Sequence, residues 1–399
     1  MDGIAVIKNK THIFILLLFL SLTFYPQKKT SVTVNPYSET DKIIDKNEST
    51  FTSLISIANF IDTTFKKEQD KCRAIYYWIT KNISYAPELM FTYKTVNKRN
   101  QLVKDVFDNK TAVCIGYATL FDTLCKLSHL TSYVIEGSTK QSFLPAVIGH
   151  AWNGVKINNT WQIIDATWGS GYLKSNRFIR KLNNDYFFAD PEKIINTHFP
   201  IDPIWQMQMY PITLYQFHTS APSTIKSQWW YQDSINDFLK LSEIDKITNV
   251  ARRLNEFGTS SEVTSNYYNY LKSKEGEYYT KKLNVAGTQF NHATEEYNAY
   301  INFKNKQFTP QRTDAEIAKI MPSITEILNN TKAEVKTIPV DFNENSASFI
   351  QSLNKQITEL SSKVETETTF IKKYLATKKN RRKELFYTKI YTVYGVPVK

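Results

Sequence analysis

Apolar positions recur at helical spacing early in the chain. Phe51, Leu54, Ile55, Ala58 and Ile61 form one stripe, and Ala74, Ile75, Trp78 and Ile79 form a second that ends near Tyr85-Ala86-Pro87. Residues 86–110 are polar and lysine-rich. They lead into an apolar, helix-like run over 115–130. The period then changes to two. Residues 132–137, 150–157 and 160–167 read as strands, and Asn158-Asn159 is a two-residue hairpin signal between the last two. Tyr186-Phe187-Phe188 reads as a short strand cut off by Pro191. Pro200, Pro203 and Pro211 punctuate a segment that bears Trp and Met, up to about 216. Beyond 224 helical stripes dominate, with Pro310, Pro322 and Pro339 read as breaks between them. Ile350, Leu353, Ile357, Leu360, Val364 and Ile371 follow the three-four spacing of a bundle seam or a short coiled coil.

This pattern divides the chain into four parts: a signal peptide at 1–30, a polar linker at 31–50, an α+β domain at 51–222 and a helical region at 223–399. Lys8 and Lys10 precede an apolar run over 13–25 that is shorter than the ~20 residues of a bilayer span. That is the layout of a secretory leader, with an uncleaved anchor as the alternative. The chain is therefore expected to be exported to the periplasm, the cell surface or the medium. With 42% hydrophobic residues, 24 Tyr and 24 Phe, it can fill a large core. Fifty basic residues against 38 acidic ones give a net charge of +12, which inclines the surface toward anions. No zinc-finger spacing, RNA-binding aromatic motif or phosphate-cradling loop is present, so nucleic acid is not an expected partner. Three cysteines are too few for a disulfide framework. Cys72 and Cys125 read as small buried hydrophobes, a bridge between two packed helices being the alternative.

Cys114 is different. It follows the turn-rich Asp108-Asn109-Lys110-Thr111 and opens the apolar helical run. A thiol at a helix N-terminus meets unpaired N–H groups and the positive end of the macrodipole, and both favour a thiolate. Counting back from a turn at 158–159 pairs Ile157 with Thr160. That places His150, Trp152, Asp165 and Thr167 on one face, with His150 and Asp165 as diagonal neighbours. Each residue alone has an ordinary reading: a core thiol, a satisfied strand histidine, a turn-capping aspartate. Together they give a nucleophile, its base and an orienter. Trp152 and Trp168 are candidate oxyanion donors or site walls. His198 reads as a structural residue of its turn, and His12, His129, His218 and His292 have no partners in view. No acidic loop of calcium spacing appears in 1–222, and neither a metal nor a cofactor is expected.

Several ordered pieces resemble the transglutaminase-like (papain-fold) superfamily, and more narrowly its exported bacterial branch related to kyphoscoliosis peptidase. They are Cys72-Arg73-Ala74-Ile75-Tyr76-Tyr77-Trp78-Ile79, Asn82-Ile83-Ser84-Tyr85, Cys114-Ile115-Gly116-Tyr117-Ala118, His150-Ala151-Trp152-Asn153, Trp161-Gln162-Ile163-Ile164-Asp165-Ala166-Thr167-Trp168-Gly169, His198-Phe199-Pro200 and Trp205-Gln206. The resemblance implies helices packed on an antiparallel sheet. It also implies that Cys114, His150 and Asp165 form a catalytic triad acting on amide bonds of a protein or peptide substrate through a thioester. Water as acceptor makes a peptidase or amidase; an amine makes an acyl transferase. A catalytically silent binding or scaffold protein is the alternative. One departure is that the family usually has a glycine where this chain has Thr111-Ala112-Val113. The region after 222 resembles no known family. Its basic run of Lys372, Lys373, Lys378, Lys379, Arg381, Arg382 and Lys383 is a candidate contact for an anionic surface.

Overall fold

A computed structural model describes residues 35–91, 99–140, 147–226, 228–259, 262–387, 391–393 and 396–398. The expected signal peptide lies outside the described residues.

The chain begins with α1 (Ser38–Asn47), α2 (Leu54–Thr64) and α3 (Glu68–Asn82), then β1 (Ser84–Tyr85), α4 (Arg99–Asn109), β2 (Thr111–Ala112) and α5 (Cys114–Leu127). The expected linker at 31–50 is therefore largely helix. Its polar composition concealed a buried ion pair. Asp41 on α1 accepts two bonds from the Arg73 guanidinium, both at 2.7 Å, while the third Arg73 nitrogen bonds Asn184 at 2.7 Å. Arg73 is wholly buried, and Ile44 packs fully into the same core. Reciprocal bonds between Ser53 and Ser56 start α2.

Strands β3 (Thr131–Lys140), β4 (Val147–Ile157) and β5 (Thr160–Ile164) follow, then α6 (Ala166–Ser170), the hairpin β6 (Gly171–Lys174) and β7 (Arg177–Arg180), β8 (Phe187–Ala189), α7 (Pro191–Ile194), β9 (His198–Pro200) and α8 (Leu214–Thr219). Five of these strands form an antiparallel sheet in the order β8-β5-β4-β3-β9. Ile157 pairs with Thr160 around Asn158-Asn159, both at positive φ, as the hairpin count predicts. The ladder stops at Asn153 opposite Ile164, short of the expected Thr167. The reason is local: Asp165 leaves the strand to cap α6.

One sheet face packs Val155, Ile157 and Ile164 against Ile75, Ile79, Tyr117, Leu120 and Phe121 of the helices. The other face carries Ile135, Trp152, Trp161 and Ile163, and a second layer covers it. That layer comes from α9 (Tyr231–Lys240), α10 (Glu243–Phe257) and the start of α11 (Glu262–Asn305), through Ile235, Phe238, Val250, Ala251 and Leu271. The chain thus continues to build on the sheet past 222. Tryptophans on an open sheet face need cover, and the helices after 222 supply it. Trp161 donates its indole N–H to Asn236 at 3.2 Å, and Arg253 grips buried Asp202 through bonds of 2.7 and 2.6 Å.

The remainder of α11 packs with α12 (Asp314–Lys336) and α13 (Ser346–Ala376), and β10 (Tyr391–Val393) pairs with β11 (Val396–Val398). The expected seam from Ile350 to Ile371 is buried throughout. Pro322 lies inside α12 and does not end it. Ile317, Met321, Ile324 and Leu328 on either side are all within 2% of full burial, and that packing outweighs the ~3 kcal/mol of an interior proline. Within the basic run, Arg382 is committed to Asp314 through bonds of 2.6 and 2.8 Å. None of the helices is long and apolar enough to cross a membrane, among the described residues.

Candidate active site

Cys114 is the first residue of α5, after an N-cap at Val113 that makes no side-chain cap bond. Its N–H therefore has no acceptor within the helix. The turn before it is tied down: Tyr85 pairs with Ala112, and the Ala86 N–H donates to the Ala112 carbonyl at 3.0 Å. Ala112 and Val113 are not among the positive-φ residues, so the departure from glycine at 111–113 costs no backbone strain. Gly116 is where the motif needs a glycine. A Cβ there would lie 2.7 Å from the Ala112 Cβ, which would hold α5 away from β2.

His150 comes from β4, opposite Gly137 of β3. Asp165, fully buried, sits at the end of β5. Its Oδ1 accepts from the Thr167 and Trp168 N–H groups at 2.8 and 3.1 Å as the N-cap of α6. Its Oδ2 lies 2.8 Å from His150 Nε2. The expected His–Asp neighbourhood therefore forms, but through a helix cap and not across a ladder. With Nε2 engaged by Asp165, Nδ1 is the ring nitrogen left for the sulfur. The Cys114 thiol feels the His150 ring and the Ala151 backbone. Burial raises its pKa; His150, by hydrogen bond and by charge, brings the net value below that of an ordinary thiol. For His150, burial works against the cation, but Asp165 and then Cys114 raise the ring to about 10. Burial also works against the Asp165 anion, yet the charge and bond of His150, with a bond from His198, hold it well below the usual carboxylate range. All three shifts run toward the charged forms of the thiol, the imidazole and the carboxylate.

Two residues were missed. His198, read as a turn residue, places Nε2 3.1 Å from the same Asp165 Oδ2. Its position in His198-Phe199-Pro200 was the available signal. Tyr85 stands near the sulfur: its phenol is pushed up to about 12, first by burial and then by the Cys114 charge. Trp152 and Trp168 flank His150. Their rings lie 5.9 and 5.8 Å from that of His150, and Trp152 is almost fully buried. Cys72 and Cys125 are free and buried, with thiols pushed up by desolvation. That agrees with their reading as hydrophobes, and no bridge joins them. Donor atoms of His150, Asp165 and His198 lie within 4.8 Å of one another, close enough to hold a metal. Both ring nitrogens are already bonded to Asp165 Oδ2, so a cation would have to displace those bonds.

Residues 55–166 match the family model of the transglutaminase-like superfamily. Kyphoscoliosis peptidase of Mus musculus is 32% identical over 162 residues, covering 38% of this chain and 24% of that protein. The Lim and transglutaminase domain protein ltd-1 of Caenorhabditis elegans is 26% identical over 223 residues, covering 48% of this chain and 28% of that protein. The chain thus spans about a quarter of the length of the curated relatives it matches. A solved structure of a TGase aligns at 23% identity with a TM-score of 0.23, covering 39% of this chain and 37% of that one.

Proposed function

We propose, for a chain whose residues 55–166 form a transglutaminase-like domain, that it is a cysteine enzyme acting on amide bonds of a protein or peptide. The observation that carries this reading is the His150 ring bonded to buried Asp165 at 2.8 Å, with Cys114 opening α5 and its thiol pKa lowered by His150. Cys114 Sγ attacks the amide carbonyl carbon, and the C=O electron pair moves onto oxygen. The Cys114 N–H at the start of α5 is the candidate donor to that oxyanion. Imidazolium His150 gives its Nδ1 proton to the departing nitrogen as the C–N bond breaks, leaving a thioester on Cys114. His150, now neutral, takes a proton from the incoming water or amine. The new C–O or C–N bond expels the thiolate, and the starting state returns. Asp165 stays ionised throughout, holding Nε2 and so directing Nδ1 at the sulfur. Export belongs to the same proposal, and the mass of the mature N-terminus reads it out.

The test is intact-mass detection of the thioester. Wild-type chain is incubated with a library of glutamine-containing and other peptides, with and without an amine acceptor. A mass gain that Cys114→Ala lacks and hydroxylamine removes supports the enzyme. No adduct and no turnover with any peptide would leave a binding protein with an unused triad.

A further inference from the structure

Asp165 Oδ2 holds two imidazoles, not one: His150 Nε2 at 2.8 Å and His198 Nε2 at 3.1 Å. The second comes from β9, on the far side of β3 from β4. His198 is 1% exposed. Its ring lies 4.5 Å from that of Trp168 and 5.2 Å from that of Trp152, edge to face in both cases, with the Tyr186 ring at 6.2 Å. Gly137 makes this enclosure possible. A Cβ there would come within 2.4 Å of the Trp152 ring and of the Phe199 carbonyl. Nδ1 of His198 is also engaged, 2.8 Å from Thr197 Oγ1. Every polar atom of this ring is thus used, in a place where water cannot hydrate a cation.

We propose that His198 is a positioning residue of the reaction: a buried neutral imidazole whose Nε2–H bonds the carboxylate oxygen that holds His150, fixing that oxygen and reserving the cation for His150. The inference rests on the catalytic reading of Cys114, His150 and Asp165. An Oδ2 held from two sides cannot swing away from His150 when the imidazolium forms. The two imidazole rings are 5.4 Å apart, so a second cation beside the first would meet repulsion as well as desolvation. Burial and the His150 charge together lower the pKa of His198, in agreement with this geometry. A carboxylate oxygen only accepts, so Nε2 carries the proton and Nδ1 of the neutral ring offers a lone pair. The Thr197 hydroxyl, which also lies 3.2 Å from the Ile194 carbonyl, then turns its one proton to Nδ1 at 2.8 Å.

Long-range 1H–15N spectra of the full chain, with its six histidines labelled, test the assignment directly. His198 is expected as the neutral Nε2–H tautomer at a pH where His150 is doubly protonated. A His198 cation, or the Nδ1–H tautomer, overturns the proposal. Iodoacetamide alkylation of Cys114 at pH ~6 gives a second readout. Loss of one charge-assisted hydrogen bond in His198→Leu should slow it about tenfold, whereas His198→Gln, which keeps a donor near the Nε2 position, should stay within about threefold of wild type. If His198→Leu matches wild type while His150→Ala is slowed, His198 is structural only. If His150→Ala itself has no effect, the catalytic reading fails and this inference falls with it. Should His198→Leu not fold, the tautomer in the wild-type chain decides.

Discussion

Replacing Asp165 by asparagine changes one atom's chemistry and almost no volume. The carboxylate accepts four hydrogen bonds, two from backbone N–H groups at Oδ1 and two from ring nitrogens at Oδ2. An amide can accept on one side only. If its oxygen keeps the Thr167 and Trp168 N–H groups, its NH2 faces His150 and His198, and each ring must offer a lone pair at Nε2. The His150 proton then sits on Nδ1 of a neutral ring, and the thiolate loses its cation. If the amide turns over, the two N–H groups of the α6 cap lose their acceptor. Breaking a buried ion pair from one side costs about 3–5 kcal/mol, ample to return Cys114 to an ordinary thiol near ~8.5. At pH ~6 such a thiol is about 0.3% ionised, so alkylation of Cys114 should slow by up to about 10²-fold relative to wild type. The two proteins should converge at pH ~10. Second-order iodoacetamide rates across this range measure it, and buried Cys72 and Cys125 contribute little. A variant within about twofold of wild type at pH ~6 would refute the coupling of Asp165 to the thiol.

Three more outcomes follow from the same contacts. Gly137→Ala puts a Cβ 2.4 Å from both Phe199 O and the Trp152 ring, so it should cost about 1–3 kcal/mol and lower Tm by about 5 °C in a melting scan. Arg73→Met strands Asp41 at a buried position and should cost about 3–5 kcal/mol by denaturant titration, while Arg73→Met with Asp41→Leu should recover at least half. The pH dependence of stability depends on the clustered site groups, including lowered His198, whose contribution is lost as pH falls below ~6.5. Raised His150 contributes stability that is complete below ~6.5 and lost toward about 10; depressed Cys114 contributes above ~8.5 and loses it as pH falls through its folded value; depressed Asp165 does the same below ~3.9. Between the folded Cys114 value and ~8.5 the rising Cys114 contribution opposes the falling His150 contribution, so stability should change less with pH there than in Cys114→Ala, whose decline from ~6.5 runs unopposed. An unchanged profile in that variant would contradict the pairing.

The sequence disclosed what alternation and turn chemistry control. The hairpin register around Asn158-Asn159, the helix opening at Cys114 and the seam of α13 were all legible because short-range periodicity determines them. What it concealed depends on partners far along the chain. Asp41 looked like a linker residue because its partner, Arg73, lies in another helix. The helices after 222 looked separate because the tryptophan face they cover precedes them and its openness cannot be counted. Asp165 looked like a strand residue because a strand that ends in an N-cap has the same local pattern as one that continues. His198 was read only as a turn residue for a similar reason: β9 reaches the site by pairing with β3, and a three-residue strand gives little warning of that.

The proposal that Cys114 is a nucleophile depends above all on its ionisation. Ultraviolet thiolate absorbance, titrated in the wild-type chain with the Cys114→Ala signal subtracted, reads that charge alone. The half-point should lie below ~8.5 and should rise to at least that value in His150→Ala, where burial is no longer opposed. A wild-type step at ~8.5 that His150→Ala leaves in place would mean the thiol, the imidazole and the carboxylate are neighbours without being a catalytic unit.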